Sequence, residues 1–118
     1  MDTHSHGIEV MNQLVPLARD LRHDIPDVMS AFAGLHTAVM APGALDTKTK
    51  ELMALALAVG MRCDGCIASH ARGAAKQSAT EAEVAEAIGV AVLMSGGPAT
   101  VYGPRALAAF KEFAAESV

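Results

Sequence analysis

Apolar residues recur three and four positions apart along nearly the whole of this chain, and nowhere do they alternate in the β-branched pattern of a strand. That periodicity predicts an all-α fold, because a stripe spaced for a helical turn cannot face one way on a strand. Ile8, Met11, Val15, Ala18 and Leu21 form the stripe of a first helix, from about Gly7 to Arg22. Asp24-Ile25-Pro26-Asp27 restarts the chain: Asp24 can cap, and Pro26 suits a first turn. Val28, Met29, Phe32, Leu35, His36 and Val39 then share one face, and Pro42-Gly43 ends that helix. Asp46 or Thr47 can cap a third helix, lined by Leu52, Leu55, Ala56 and Val59 and running to Gly60. A fourth runs from about Cys63 to Lys76. Thr80-Glu81-Ala82-Glu83 reads as a capping box opening a fifth, in which Ile88, Val92 and Leu93 are apolar and Gly89 predicts a close helix contact. Gly96-Gly97-Pro98 stops it, and a last helix, about Ala99 to Ala115, puts Leu107, Phe110 and Phe113 on its buried side. The expectation is a compact bundle of about six helices, one domain spanning residues 1–118.

Such a bundle must be packed with small side chains. The chain is 52% hydrophobic yet only 3% aromatic, with no Trp, which leaves Ala, Leu, Val and Met to fill the core. Its mean hydropathy of +0.30 is high for a chain too short to bury most of its surface. Part of the apolar surface is therefore expected to lie between the subunits of a homo-oligomer. The formal charge is −4, and Lys and Arg are scattered rather than striped, so nucleic acid is not an expected partner. No apolar run reaches the ~20 residues that span a bilayer. The longest, Leu52 to Met61, is broken by Gly60. The stretch Met1-Asp2-Thr3-His4-Ser5-His6 lacks the regions of a signal peptide, which predicts a cytoplasmic protein, and His4 and His6 read as a mobile terminus. In that compartment a C-x-x-C is more often redox-active or metal-bound than a structural disulfide.

The chain has two cysteines, in Cys63-Asp64-Gly65-Cys66, with His70 four residues further on. On a helix, positions 63, 66 and 70 fall at roughly 0°, 300° and 340°, one narrow face. Cys66 and His70 are an i,i+4 pair, and such side chains meet. A helix beginning near Cys63 holds both thiols in its first turn, where free N–H groups and the positive end of the dipole favour a thiolate. The imidazole can take the proton, so the cluster reads as an activated dithiol. Two cysteines at this spacing can close a disulfide, and they can also grip a metal. The metal alternative takes Cys63, Cys66 and His70 as zinc ligands, with Glu51 or a group from another subunit as the fourth. The second ligand pair usual in structural zinc sites is missing, with no third Cys and no His-x-x-x-His, so no metal and no cofactor is expected. A non-catalytic helical oligomer is the remaining alternative.

The stretch from Glu51 through Cys63-Asp64-Gly65-Cys66-Ile67-Ala68-Ser69-His70 resembles the alkylhydroperoxidase D-like (AhpD-like) branch of the carboxymuconolactone decarboxylase family. The motif of that branch is a Glu, a Cys twelve positions later, a second Cys three on and a His four further; Glu51, Cys63, Cys66 and His70 fit each position. Gly73-Ala74-Ala75-Lys76 and the stretch Thr80 to Ala87 also resemble the family's helix junction, and the similarity covers about residues 25–110. The resemblance implies an all-α subunit assembled as a trimer or hexamer. It further implies a thiol-dependent peroxidase that reduces hydroperoxides by a dithiol–disulfide cycle, drawing electrons from a lipoyl or thioredoxin-like dithiol. A general disulfide oxidoreductase is the nearest alternative activity. Decarboxylases of the wider family act on lactone acids without the cysteine pair, so that activity is not expected.

Four residues carry the expected chemistry. Cys66 is the candidate attacking thiolate, because His70 lies one turn below it. Cys63 would resolve the resulting sulfenate as a disulfide. His70 would take or relay the proton, and Glu51, on the preceding helix, would orient His70 or share its proton. At one position the chain departs from the family: the best-known peroxidases of the branch carry a His immediately before the second Cys, where this chain has Gly65. Tyr102 and His36 could line a pocket, though nothing in the sequence requires it.

Overall fold

The computed structural model describes residues 5–116, and these form six helices with no strand among them. They are α1 (Ile8–Asp24), α2 (Pro26–Met40), α3 (Thr47–Met61), α4 (Asp64–Lys76), α5 (Glu81–Ser95) and α6 (Gly97–Glu116). Met1 to His4, part of the stretch read above for a signal peptide and a mobile terminus, lies outside the described residues. The last four helices make the core: α4 packs on α3 and α6, and α5 packs on the same two from the other side. Leu55, Val59, Ile67 and Val84 are fully buried at the centre. Ala58, Ala71, Ala74, Ala106 and Ala109 fill the crossings between them, which lets the helix backbones approach closely. α5 and α6 approach closely at Gly103, where an added Cβ would stand 2.7 Å from Ile88 Cγ2. Gly89, expected at a close contact, instead faces open space on the exposed side of α5.

Most of the helix punctuation follows the local rules. Asp46 Oδ1 accepts the Thr49 N–H at 2.8 Å to start α3. Thr80 and Glu83 close a reciprocal capping box at the start of α5. Glu83 also meets Lys48 at 2.9 Å, and Lys48 together with the Thr80 N–H holds its carboxyl below the usual range. At the start of α2, Pro26 occupies the first turn as expected, but Ile25 is the N-cap and no side chain caps it; Asp24 is the last residue of α1.

The α3–α4 junction, which positions the cysteines, is made without glycine. Arg62 adopts the left-handed conformation, with φ of 57°. Its N–H reaches Val59 O at 3.2 Å and the Cys63 N–H reaches Ala58 O at 3.2 Å, the paired bonds of a Schellman ending. These bonds offset the roughly 1–2 kcal/mol that a left-handed non-glycine residue costs. Gly60, expected to end the helix, lies inside α3 and faces Ser95 of α5.

α1 and α2 contribute no buried residue, although their apolar stripes are correctly spaced. Val15 and Leu21 of α1 are about half exposed, and on α2 Val28, Phe32 and Leu35 are 61%, 66% and 58% exposed. Leu93 of α5 is likewise 80% exposed. Periodicity identified the helices; it did not identify what covers them.

What docks α1 is a carboxylate from the far end of the chain. Glu112 of α6 accepts the backbone N–H groups of Ile8 at 3.2 Å and His6 at 3.3 Å, and the Ser5 hydroxyl donates to it as well. Gly7, the N-cap residue, has no side chain to cap with, so Glu112 does the capping across the tertiary structure. Gly7 itself is buried against Ala109 and Phe113, where a Cβ would come within 2.8 Å of Phe113 Cε2. His6 is thus part of an ordered docking rather than of a mobile terminus.

Burial pushes the Glu112 carboxyl up, but Ser5 and the N–H groups of Ile8, His6 and Gly7 outweigh it and hold the group below its ordinary value. A carboxyl lowered in the folded state contributes stability that is full above its unfolded pKa and is lost as pH falls through the folded one. Glu112→Ala is therefore expected to cost about 1 kcal/mol at neutral pH, the size of a lost helix cap. The gap from the parent protein should close as the carboxylate range is crossed downward. Urea unfolding followed from neutral to acid pH measures both, and a gap that persists in acid would contradict the assignment.

Candidate active site

Cys63 and Cys66 are joined as a disulfide, with their Cα atoms 5.2 Å apart. Cys63 is the N-cap residue of α4, and its Sγ accepts the Cys66 N–H at 3.2 Å. Cys66 lies in the first turn. The sulfurs therefore sit where a helix presents unpaired N–H groups and the positive end of its dipole. The same groups stabilise a thiolate once the disulfide opens. Both residues are half-buried, between solvent and the core.

One turn further along the same face, His70 Nδ1 lies 2.8 Å from Glu51 Oε1. Glu51 projects from the second turn of α3 and is 7% exposed, the one charged residue in the buried core among the described residues. An ionised carboxylate only accepts hydrogen bonds, so against it Nδ1 carries the proton and donates. In the neutral ring this leaves the lone pair on Nε2, the nitrogen free to receive a proton. A carboxylate that fixes the imidazole tautomer in this way is the arrangement a general base requires. The structure thus brings Glu51 and His70 together and places Cys66 one turn from His70; Cys63 is bonded to Cys66.

Two further residues complete the geometry. Gly73, one turn beyond His70 on α4, lies so close to Glu51 that an added Cβ would fall on its carboxylate. The carboxylate occupies the space that a side chain at position 73 would take. The signal was present in the sequence as a glycine in the interior of an Ala-rich helix, where propensity favours Ala. His36 of α2 stacks on His70, with ring centroids 6.1 Å apart and planes 24° apart. Tyr102, also considered as a lining residue, packs on the hydrophobic core, with the Arg105 guanidinium 5.0 Å from its ring centroid.

The donor set that these elements gather differs from the one considered for zinc. Cys63 and Cys66 are bonded to each other. His36, Glu51 and His70 form the cluster, with one ligand-type atom from each lying within 4.8 Å of the other two. Its shortest edge is the 2.8 Å hydrogen bond between Glu51 and His70, which a shared proton already satisfies.

Gly73 offers a sharp test of this geometry. A Gly→Ala change inside a helix ordinarily gains up to ~1 kcal/mol. At position 73 the methyl group competes with a buried carboxylate, and overpacking of this kind costs about 1–3 kcal/mol. Gly73→Ala is expected to lower the melting temperature and to break the Glu51–His70 hydrogen bond. A crystal structure of the variant that retains the bond would contradict the expectation.

Comparison with known proteins places this geometry in a family. Residues 26–114 match the carboxymuconolactone decarboxylase family. An uncharacterised protein of Cupriavidus necator is 41% identical over 85 residues, covering 72% of this chain and 75% of the relative. An uncharacterised protein of the cox locus of Paracoccus denitrificans is 43% identical over 82 residues, covering 70% and 74%. Among solved structures, a carboxymuconolactone decarboxylase family protein from Legionella pneumophila is 42% identical with a TM-score of 0.86, covering 90% of this chain and 95% of that one. A family member from Thermotoga maritima, described as a candidate participant in the antioxidative response, is 30% identical with a TM-score of 0.76, covering 89% and 92%. The chain belongs to the carboxymuconolactone decarboxylase family, the family that contains the AhpD-like proteins.

Proposed function

We propose that this protein is a thiol-dependent peroxidase that reduces hydroperoxides through a Cys63–Cys66 dithiol–disulfide cycle, with Glu51 and His70 moving the proton. One observation carries the reading: a closed cysteine pair at a helix N-terminus, one turn from an imidazole whose other nitrogen is held by a buried carboxylate. In the reduced protein His70 Nε2 takes the Cys66 proton. The thiolate attacks the terminal peroxide oxygen and the O–O bond breaks. Sulfur keeps that oxygen as a sulfenic acid, and the departing alkoxide takes the proton from His70 to leave as an alcohol. Cys63 then attacks the Cys66 sulfur, and its proton leaves with the hydroxyl as water. The two cysteines have lost two electrons and the peroxide has gained them. An external dithiol of the lipoyl or thioredoxin-like class restores both thiols, through a mixed disulfide, and is itself oxidised.

The family holds decarboxylases as well as peroxidases. A decarboxylase would leave the cysteine pair without a role, and the antioxidative description of the Thermotoga relative points the same way. A general disulfide oxidoreductase is the second reading, favoured by the placement of Cys63 at the helix cap. We place the protein in the cytoplasm, where reducing dithiols are maintained. No helix of the described residues is long and apolar enough to cross a membrane. The exposed apolar faces of α2 and α5 support assembly as a trimer or hexamer.

With a dithiol donor the protein is expected to consume hydroperoxide catalytically. Cys66→Ser should abolish that activity, and Cys63→Ser should stop after one turnover with a sulfenic acid that dimedone traps. Disulfide reduction with no response to peroxide would favour the oxidoreductase reading, and peroxide consumption unaffected by Cys66→Ser would exclude the proposed cycle. For the assembly, light scattering at micromolar concentration should give three or six times the 12.2 kDa chain mass, and a single chain mass would contradict it.

A further inference from the structure

Glu51 and His70 are screened from bulk water, with side chains 9% and 19% exposed, yet His70 must gain and lose a proton at every turnover. On the side of the disulfide loop nearest α1, an apolar side chain stands against the loop. Position 65 is glycine, and Leu14 of α1 covers it, with Cδ2 3.1 Å from where a Cβ would stand. No titratable side chain can be presented there without displacing an apolar one.

The α2 side is different. In the single chain His36 is exposed, its ring stacks on that of His70, and its nitrogen lies within 4.8 Å of the ligand atoms of both Glu51 and His70. No hydrogen bond joins His36 to either residue, and a separation of up to 4.8 Å is one that a single water can bridge. Neither ring nitrogen of His36 is hydrogen-bonded to a described residue, so both are available for exchange. Its helix is held in place from α3. Lys50, the neighbour of Glu51, donates from Nζ to the carbonyls of Val39 at 2.8 Å and Ala41 at 2.7 Å, and the Thr47 hydroxyl donates to Met40 O at 2.8 Å. The helix bearing the outer imidazole is therefore fastened to the helix bearing the inner carboxylate.

We infer that His36 is the outer member of the proton path, passing protons between bulk water and His70 during thiol chemistry at Cys66. It accepts a proton at one nitrogen and releases one from the other, so only N–H and O–H bonds are made and broken; the ring is left in its other tautomer and returns to the first by proton exchange with water. His36 acts through His70 and is a positioning residue rather than a catalytic one. The inference rests on the peroxidase reading only in requiring a proton at the cysteine pair, which any disulfide exchange there also requires.

The test compares wild type, His36→Ala and His36→Gln in stopped-flow oxidation of the reduced protein by hydrogen peroxide, with and without added imidazole. Both variants are expected to be slower by about tenfold at unchanged melting temperature, a modest loss for an acid–base group one step removed. Imidazole should restore the rate of His36→Ala, and substituted imidazoles should do so in the order of their basicity. Three results would overturn the inference: a wild-type rate in His36→Ala, a slow rate that imidazole leaves unchanged, or a zinc ion bound by wild type and lost in the variant, which would make His36 a ligand. If wild type does not react with peroxide, the peroxidase reading fails and the same comparison is made on reduction of the disulfide by dithiothreitol. That reaction returns two protons to the cysteines and oxidises the reagent to its cyclic disulfide. Loss with imidazole rescue there sustains the role of His36, and equal rates overturn it.

Discussion

One buried carboxylate organises the active-site end of this molecule. Glu51 is an acidic side chain in a core otherwise made of Ala, Leu, Val, Ile and Phe, a placement that is costly unless its oxygens are bonded. The His70 ring supplies that bond and the missing side chain of Gly73 supplies the space. The requirement acts in both directions. The imidazole is fixed in orientation by the carboxylate, and α3 and α4 are held at the separation that this hydrogen bond needs.

The outer helices serve this centre from a distance, each pinned at a particular place. α1 is capped by Glu112, and this carries Leu14 over the glycine of the disulfide loop. α2 is tied at its C-terminal end by Thr47 and Lys50, which brings His36 against His70. Neither helix buries a side chain fully, so their placement depends on these few polar contacts, on Ile8 and Met11 of α1 packed against the core, and on whatever covers their apolar faces.

The parts of this structure that were readable from sequence are the local ones. Helix periodicity, the Asp46 cap, the Thr80–Glu83 box and the placement of Cys63 at a helix start all depend on residues within a turn of each other. The Glu51–His70 bond joins residues 19 apart and was legible only because the spacing resembles a known family. Gly73 looked like part of a helix junction; only the three-dimensional fold reveals that its missing side chain makes room for Glu51. His36 was read as a residue that could line a pocket, but nothing in its apolar stripe records which helix will face it. The Glu112 cap on α1 spans more than a hundred positions and leaves no local trace. Arg62 ran against propensity, because a left-handed ending usually calls for glycine.

The junction between α3 and α4 has a further consequence. Cys63 supplies the last N–H that closes α3 and the first side-chain cap of α4, so the two helices share a residue and no loop separates them. From Glu51 to Cys63 the chain is helix up to Met61 and a two-residue reversal after it, with no slack to absorb a change in length. Inserting or deleting one residue within α3 beyond Glu51 would turn the carboxylate by about 100° relative to α4 and aim it away from His70. The interval between the acid and the first sulfur is therefore a phase relation between two helices. Sequences can drift in composition along this stretch, but not in length, and still assemble the same site.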